Sequence, residues 1–333
     1  MTRLTRRTFT TAFAAAIAGS PAILRAQTRK LRIGYLHVLS VDAHMWLGQH
    51  LGTWKKEGLD VELREFNTGV ELFQAMIGGS IDVLTTGGVL SNFPARGQGK
   101  VFLVNDIEWA TGQIWVNPKA GINSIADLKG KKIATTRGTT AHNLVHQALK
   151  SAGLDSRKDV EIVNQRMPDA VTAFVSEAVP VVSVWVPFNV AIKQKLPTAK
   201  MLAHSGQFPT AAIVDGWAAR NDLYEKNKDI LQSMVRAWIP ANEMIVNDAQ
   251  GALAYLHKNH YANLSREDID EMYRATRFYN TADWIKHYES GDVTKWLNQV
   301  TNFNVEVGAI ENPMMADKYF DPAVFTTAAK TFK

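Results

Sequence analysis

Arg137, Gly138, Thr139 and Thr140 are the residues of this chain whose types and spacing could most directly hold an anion. Residues 131–136 have the β-branched and apolar character of a buried strand, Gly130 closes the element before it, and Gly138 opens a turn into a helix starting near Ala141. The first turn of such a helix leaves backbone N–H groups unpartnered and carries partial positive charge, which favours a carboxylate, sulfonate or phosphate. The two threonine hydroxyls could donate to that anion, although threonine also caps helices that bind nothing. Arg137 could fork onto two of its oxygens, or stand as a solvated loop arginine.

One such seat is too weak for useful affinity. A micromolar dissociation constant needs about 8 kcal/mol, whereas a helix terminus supplies roughly 0.3 to 1 and at most about 2. A second wall is therefore required, and closure of the two walls should accompany binding. Thr85, Thr86 and Gly87 follow an apolar strand, where strand ends meet a crevice in layered α/β folds. Ser40 and His44 follow the first strand in the same way. Trp185 could lay its ring on a ligand's carbon skeleton or against an ammonium, or serve as packing. Asp215 could pair with an ammonium or cap a strand end.

Chemistry of other kinds finds little footing. His142 and His146 are four apart, a spacing that can ligate zinc, but without a third ligand at clear spacing they read as helix-surface histidines and no metal is expected. There is no G-x-S-x-G elbow, H-E-x-x-H, phosphate-binding P-loop or G-x-G-x-x-G run, so neither catalysis nor a cofactor is expected.

The elements that must position these residues alternate between short apolar strands and amphipathic helices, which argues for an α/β fold with mostly parallel sheets flanked by helices. Strands are expected at 31–36, 60–65, 81–85 and 101–104, with helices at 45–57, 69–78 and from Gly87-Gly88 through Arg96. A second unit begins near Trp115, with strands at 131–135, 160–163 and 181–185 and helices at 141–152 and 169–176. The runs 75–88 and 173–187 share an order of helix, turn, strand and loop, which predicts two similar lobes. From about Tyr224 the pattern turns helical, at 229–246, 250–260, 266–273 and 283–291, and reads as packing around the first lobe.

The chain has 333 residues, 46% of them hydrophobic, enough for two lobes of ordinary size, and a formal net charge of +5. The 37 basic residues fall to 33 without Arg3, Arg6, Arg7 and Arg25, against 32 acidic ones, leaving +1. Residues 1–26 thus carry the excess, and no nucleic-acid partner is implied. Their charged start and alanine-rich apolar stretch read as an export leader, and Thr5-Arg6-Arg7-Thr8-Phe9 resembles the twin-arginine signal. The chain has no cysteine, which excludes disulfides, thiolate sites and a lipoprotein anchor. A free periplasmic protein is the expectation.

These segments together resemble the periplasmic solute-binding proteins of ABC importers, in the nitrate, sulfonate and taurine branch that shares its fold with thiamine-pyrimidine synthases. The resemblance rests on residues 79–83 (GSIDV), 125–134 (IADLKGKKIA), 139–142 (TTAH), 184–187 (VWVP) and 215–217 (DGW) leading into 220–223 (RNDL). It implies a two-lobed type II binding fold, with lobe one at 30–115 plus 215–333, lobe two at 116–214, and crossovers near 115–117 and 211–215. It implies a small organic anion as ligand, a sulfonate or taurine-like zwitterion, delivered by a monomer to an inner-membrane permease and its ATPase. Similarity to taurine binders implies an ammonium partner for Asp215. The chain departs from the family at Glu177-Ala178-Val179-Pro180-Val181, at Val186 and at Arg137. A synthase, a periplasmic sensor, or a binding protein for an aromatic acid or another small anion are the alternatives.

Overall fold

The computed structural model describes residues 29–211 and 213–332; the expected export leader lies outside them. β1 (Arg29–Leu36) leads into α1 (Leu39–His50) and the short α2 (Thr53–Lys56), followed by β2 (Leu59–Phe66), α3 (Gly69–Ile77), β3 (Val83–Thr86) and β4 (Lys100–Glu108). The second unit holds β5 (Gly112–Val116), β6 (Lys132–Thr135), α4 (Thr140–Ser151), β7 (Glu161–Asn164), α5 (Met167–Val175), β8 (Val181–Trp185), α6 (Phe188–Lys195) and β9 (Lys200–His204). The chain returns in β10 (Ile213–Ala219) and continues through α7 (Asn221–Lys226), α8 (Lys228–Asn247), α9 (Ala249–Asn259), α10 (Arg266–Ala275) and the two-residue β11 (Thr276–Arg277). It ends in α11 (Thr281–Ser290), α12 (Asp292–Glu306), α13 (Ala316–Tyr319) and α14 (Pro322–Thr331).

Two sheets result, ordered β11-β4-β10-β3-β1-β2 and β7-β6-β8-β5-β9. Both are mixed. β10 runs antiparallel between β3 and β4, and β5 runs antiparallel between β8 and β9, while β1 pairs with β2 and β3, and β6 with β7 and β8, in parallel. β3, β5, β8 and β10 are buried along their whole length, because helices cover both faces of each sheet.

The sheets divide the chain earlier than the sequence reading does. β5 is paired residue by residue with β8, Gly112 against Trp185 through Val116 against Val181, so Trp115 lies inside the second sheet. The chain crosses at residues 109–111, and it has returned by Ile213, because Asp215 is already paired with Asp106 in the first sheet. A continuous apolar run carries no mark of which sheet it joins, which is why the strand at 112–116 reads as a crossover. The crossing is anchored on the first lobe: the N–H groups of Trp109 and Ala110 donate to the Ala275 carbonyl at 3.1 and 2.8 Å, and the Arg277 guanidinium lies 3.4 Å from the centre of the Trp109 ring. The Ser205 hydroxyl donates to the Trp109 carbonyl at 2.9 Å, which ties the outgoing and returning passages together.

Other boundaries also shift. α1 starts at Leu39 and ends at His50, with Gly52 in a left-handed turn (φ 67°) before α2. After Gly87-Gly88 the chain makes turns and a single 3-10 turn, Pro94–Arg96, instead of a helix. The helical tail covers the first sheet through α12 on β10 and α14 on β4, with α8 packed on α14 and α1, but it also reaches the second lobe. Glu306 on α12 accepts from Lys150 at 2.9 Å and pairs with His146 at 2.7 Å. Glu271 on α10 accepts from Gln113, Asn189 and Lys193.

Candidate functional site

The strands β1, β3, β4 and β8 all end at one place, where the two lobes meet, and the turns that follow them enclose a narrow cavity. Leu36, Val38, Ser40 and Val41 come from the turn between β1 and α1, Thr86 to Val89 from the end of β3, and Glu108 from the end of β4. The second lobe contributes Thr139 and Thr140 at the start of α4, and Trp185 at the end of β8. Carboxyl ends of strands at the junction of two sheets are where α/β folds bind ligands. The lining is mixed, with Leu36, Val38, Val41, Val89 and Trp185 beside the polar Ser40, Thr86, Glu108, Thr139 and Thr140.

Behind the lining lies a cluster of buried carboxylates, of which Glu108 reaches the cavity. Asp106 and Glu108 are two apart on β4, and Asp215 is the cross-strand partner of Asp106 on β10. All three are buried, Asp106 and Asp215 completely. A Cβ placed on Gly87 would stand 2.0 Å from Glu108 Oε1 and 2.1 Å from Asp215 Oδ1, so the two carboxylates converge on the one residue without a side chain. Glu108 accepts from Thr111 Oγ1 at 2.6 Å and, across the cleft, from Thr140 Oγ1 at 3.0 Å. Asp106 Oδ2 accepts from Asn105 Nδ2 at 2.5 Å. Asp106 Oδ1 and both oxygens of Asp215 accept nothing among the described residues. Burial raises all three carboxyls well above the ordinary carboxylate range. The neighbouring charges push them further up, Glu108 on Asp106, Asp215 on Glu108 and Asp106 on Asp215.

The residues singled out from sequence divide in two. Ser40, Thr86, Gly87, Thr139, Thr140 and Trp185 line the cavity, and Asp215 is fully buried behind Gly87, outside the lining. Thr85 stands one residue behind: it is buried, and its hydroxyl donates to the Val41 carbonyl at 3.1 Å, fastening the start of α1. Arg137 and Gly138 are not brought to the cleft. Gly138 takes a left-handed turn (φ 77°) that faces Arg137 outward. There the Arg137 N–H donates to Asn164 Oδ1 and its guanidinium to the Ile162 carbonyl, beside a surface groove shared with Arg157 and residues 307–309. The Gly138 N–H is itself spent on His142 Nδ1 at 3.1 Å. The Thr139 hydroxyl donates to the Thr136 carbonyl at 2.7 Å. The expected seat therefore reduces to the first backbone N–H groups of α4, which face the Gly87-Gly88 turn of the other lobe.

The histidines need a second correction. His142 and His146 are buried at the lobe seam, not exposed on a helix surface: His142 is edge-on to Phe303, and His146 bridges Ser156 Oγ at 2.8 Å and Glu306. Burial pushes His142 down to about 4, with Arg137 and His146 adding to it. His44 is enclosed behind the cavity against Asn242 and Trp238, and burial pushes it down to about 3.

Sequence reasoning missed Asp106 and Glu108 because it ended their strand at Val104. The alternation Asn105-Asp106-Ile107-Glu108 directly after the apolar run 101–104 is the signal that would have found them. It also missed the brace behind the β1–α1 turn. Asp42, fully buried, accepts from Trp46 Nε1 at 3.0 Å and from the Tyr261 hydroxyl at 2.5 Å, and pairs with His37 Nδ1 at 2.7 Å. His37 in turn reaches the His260 carbonyl at 3.1 Å. His37 and Asp42 thus hold from behind the turn whose Leu36, Val38, Ser40 and Val41 face the cavity. Replacing Asp42 with Ala strands three donors, and urea unfolding should show a loss of about 2 to 4 kcal/mol. A loss within about 0.5 kcal/mol would mean the brace is slack.

With this geometry in place, comparison with known proteins is informative. The family model described as "NMT1/THI5 like" matches residues 42–252, more than half of the chain. The chain belongs to the NMT1/THI5-like family. Among curated relatives, a protein of Brucella abortus named as a binding protein is 26% identical over 322 residues, covering 96% of this chain and 99% of that one. The taurine-binding periplasmic protein of Escherichia coli is 28% identical over 193 residues, 57% of this chain and 58% of the relative. In structure, the alkanesulfonate-binding protein SsuA of Xanthomonas axonopodis, solved bound to MOPS, superimposes with a TM-score of 0.69 at 22% identity, over 89% of this chain and all of that one. This chain therefore shares the two-lobed fold of that binding protein, and the cavity lies where its two lobes meet.

Proposed function

We propose that this protein is the periplasmic solute-binding component of an ABC importer, capturing a small organic anion of the sulfonate or amino-sulfonate class between its lobes and presenting it to a membrane permease driven by an ATPase. The observation that carries the reading is the cavity itself: strand ends of one sheet and the start of α4 from the other close on one small space. The names of the relatives, which bind taurine and alkanesulfonates, support the ligand class. The first N–H groups of α4 supply a seat for the anionic end, Trp185 and the valines pack the carbon skeleton, and lobe closure excludes water. The protein carries its solute unchanged. It works as a monomer, exported by the leader at residues 1–26, which carries paired arginines ahead of its apolar stretch.

Thermal unfolding of the ligand-stripped mature protein against alkanesulfonates, amino-sulfonates, aromatic acids and nitrate tests this reading. A saturable rise in midpoint with one class supports it, since a ligand at 100 times its Kd adds about 2.7 kcal/mol. No rise with any anion would overturn it.

A further inference from the structure

Arg137, the cation that sequence reasoning placed beside the ligand, lies instead in a second groove, along the outer seam of the two lobes. Arg137, His142 and Arg157 come from the second lobe, and residues 307–309, at the end of α12, belong to the tail of the first. Both arginines are exposed, and their guanidiniums are short of partners. That of Arg137 makes one long hydrogen bond, to the Ile162 carbonyl at 3.4 Å. Among the described residues only the backbone N–H of Arg157 has a partner, Asp155 Oδ1 at 2.8 Å. The carboxylates nearby are spent elsewhere: Asp155 pairs with Lys158, Asp159 with Lys129, Glu161 with Lys132, and Glu306 with His146 and Lys150. No acidic residue lines the groove. Among the described residues no carboxylate pairs with either arginine. Two like charges thus share one groove with no counter-charge between them.

Further donors converge on the same place. His142 Nδ1 accepts the Gly138 N–H at 3.1 Å, and a backbone nitrogen can only donate, so the proton of this ring sits on Nε2. Burial, with Arg137 and His146 adding to it, keeps the ring neutral at ordinary pH. Its Nε2–H has no partner among the described residues. Arg157 reaches over the seam: its guanidinium carbon lies 3.5 Å from where a Cβ on Gly308 would stand. Arg96, from the first lobe, donates to the Ala309 carbonyl at 2.7 Å, which fixes that wall and adds a third cation at its edge. We infer that this groove is a second anion site, for a small divalent oxyanion of the sulfate or phosphate class held by the Arg137 and Arg157 guanidiniums and the His142 Nε2–H. A tetrahedral dianion presents enough oxygens and charge to engage two guanidinium forks at once. The site is separate from the cleft, because Gly138 turns Arg137 outward while Thr139 and Thr140 line the cavity. Its walls come from both lobes, so it is complete only when they meet, and an anion bound there favours the closed arrangement.

Titration calorimetry of the mature protein with sodium sulfate, at an ionic strength held constant with sodium chloride, tests the site. Expected is a saturable sulfate site that Arg137→Gln and Arg157→Gln each weaken roughly 10- to 150-fold, the loss of one charge-assisted hydrogen bond. Both side chains are exposed and unpaired, so each variant should keep the circular dichroism of the parent. Lys158→Gln removes the same charge from an exposed neighbour outside the groove and should change the sulfate Kd by less than about threefold. Inorganic phosphate in a parallel titration tells which member of the class binds tighter, and nitrate, a monoanion, should bind more weakly than either. Gly88→Ala, whose Cβ would stand 2.5 Å from the Thr140 backbone nitrogen across the cleft, should weaken sulfate by holding the lobes apart. The absence of a saturable sulfate site would overturn the inference. So would a site that survives both arginine variants, since that sulfate would sit in the cleft, or one that Lys158→Gln weakens equally. Sulfate binding to Gly88→Ala as tight as to the parent would overturn the coupling to closure. None of these outcomes depends on which solute the cleft carries, so a failed sulfonate titration leaves this site standing.

Discussion

Asp215→Asn is expected to stabilise the ligand-free protein and to cripple its capture of an amine-bearing solute. Burial and the adjacent Asp106 hold the Asp215 carboxyl well above its ordinary range. In the window between the ordinary and the raised value the folded protein binds a proton that the unfolded chain does not, so folding stability falls as pH rises through it. An amide of the same shape has no charge to bury, and its NH2 can donate to the neighbouring carboxylates. Urea unfolding at about pH 8 should show a gain of about 1 to 3 kcal/mol, shrinking toward acid pH. The same change removes a charge-assisted acceptor from the solute, worth about 1.5 to 3 kcal/mol, or roughly 10- to 150-fold in Kd. A variant that is less stable at pH 8 and binds taurine as tightly as the parent would contradict the account of the carboxylate cluster.

Gly88→Ala should keep the lobes apart. A Cβ at this position would lie 2.5 Å from the backbone nitrogen of Thr140 and 2.9 Å from the Thr139 carbonyl carbon, atoms of the opposite lobe that cannot rotate away. Gly88 is not among the glycines with positive φ, so alanine there meets no backbone strain within its own lobe. The clash therefore acts only on the closed arrangement. Overpacking of this kind costs about 1 to 3 kcal/mol, which shifts the open and closed populations by roughly 5- to 150-fold and weakens binding by the same factor. Small-angle scattering should report a larger radius of gyration, while the far-ultraviolet spectrum stays unchanged. An unaltered radius with unaltered affinity would show that the contact between Gly88 and α4 is not part of closure.

The sequence made the fold legible wherever a pattern was local. The strands that become β1, β2 and β8, the helices α3, α5 and α8, and the glycine turn ahead of α4 all follow from periodicity and turn residues, within one to three positions. What it could not supply was direction and partnership. β5 and β10 are apolar runs like their neighbours, and nothing in their residues says that they run antiparallel in the middle of each sheet. The site was half visible for the same reason. Thr139, Thr140 and Gly87 stand at turns that the pattern marks, so they could be placed at the crevice. Arg137 adjoins the same turn, but the left-handed Gly138 decides which way its side chain leaves, and that decision is made by backbone geometry. Asp106, Glu108 and Asp215 become one feature only when β4 pairs with β10, a contact between positions about 100 residues apart in sequence.

The account stands most directly on whether the cleft captures a small organic anion of the sulfonate or amino-sulfonate class. Isothermal titration of the ligand-stripped mature protein with 2-aminoethanesulfonate and ethanesulfonate decides it. The account predicts saturable one-to-one binding of at least one of the two probes. Heat from neither probe would contradict it.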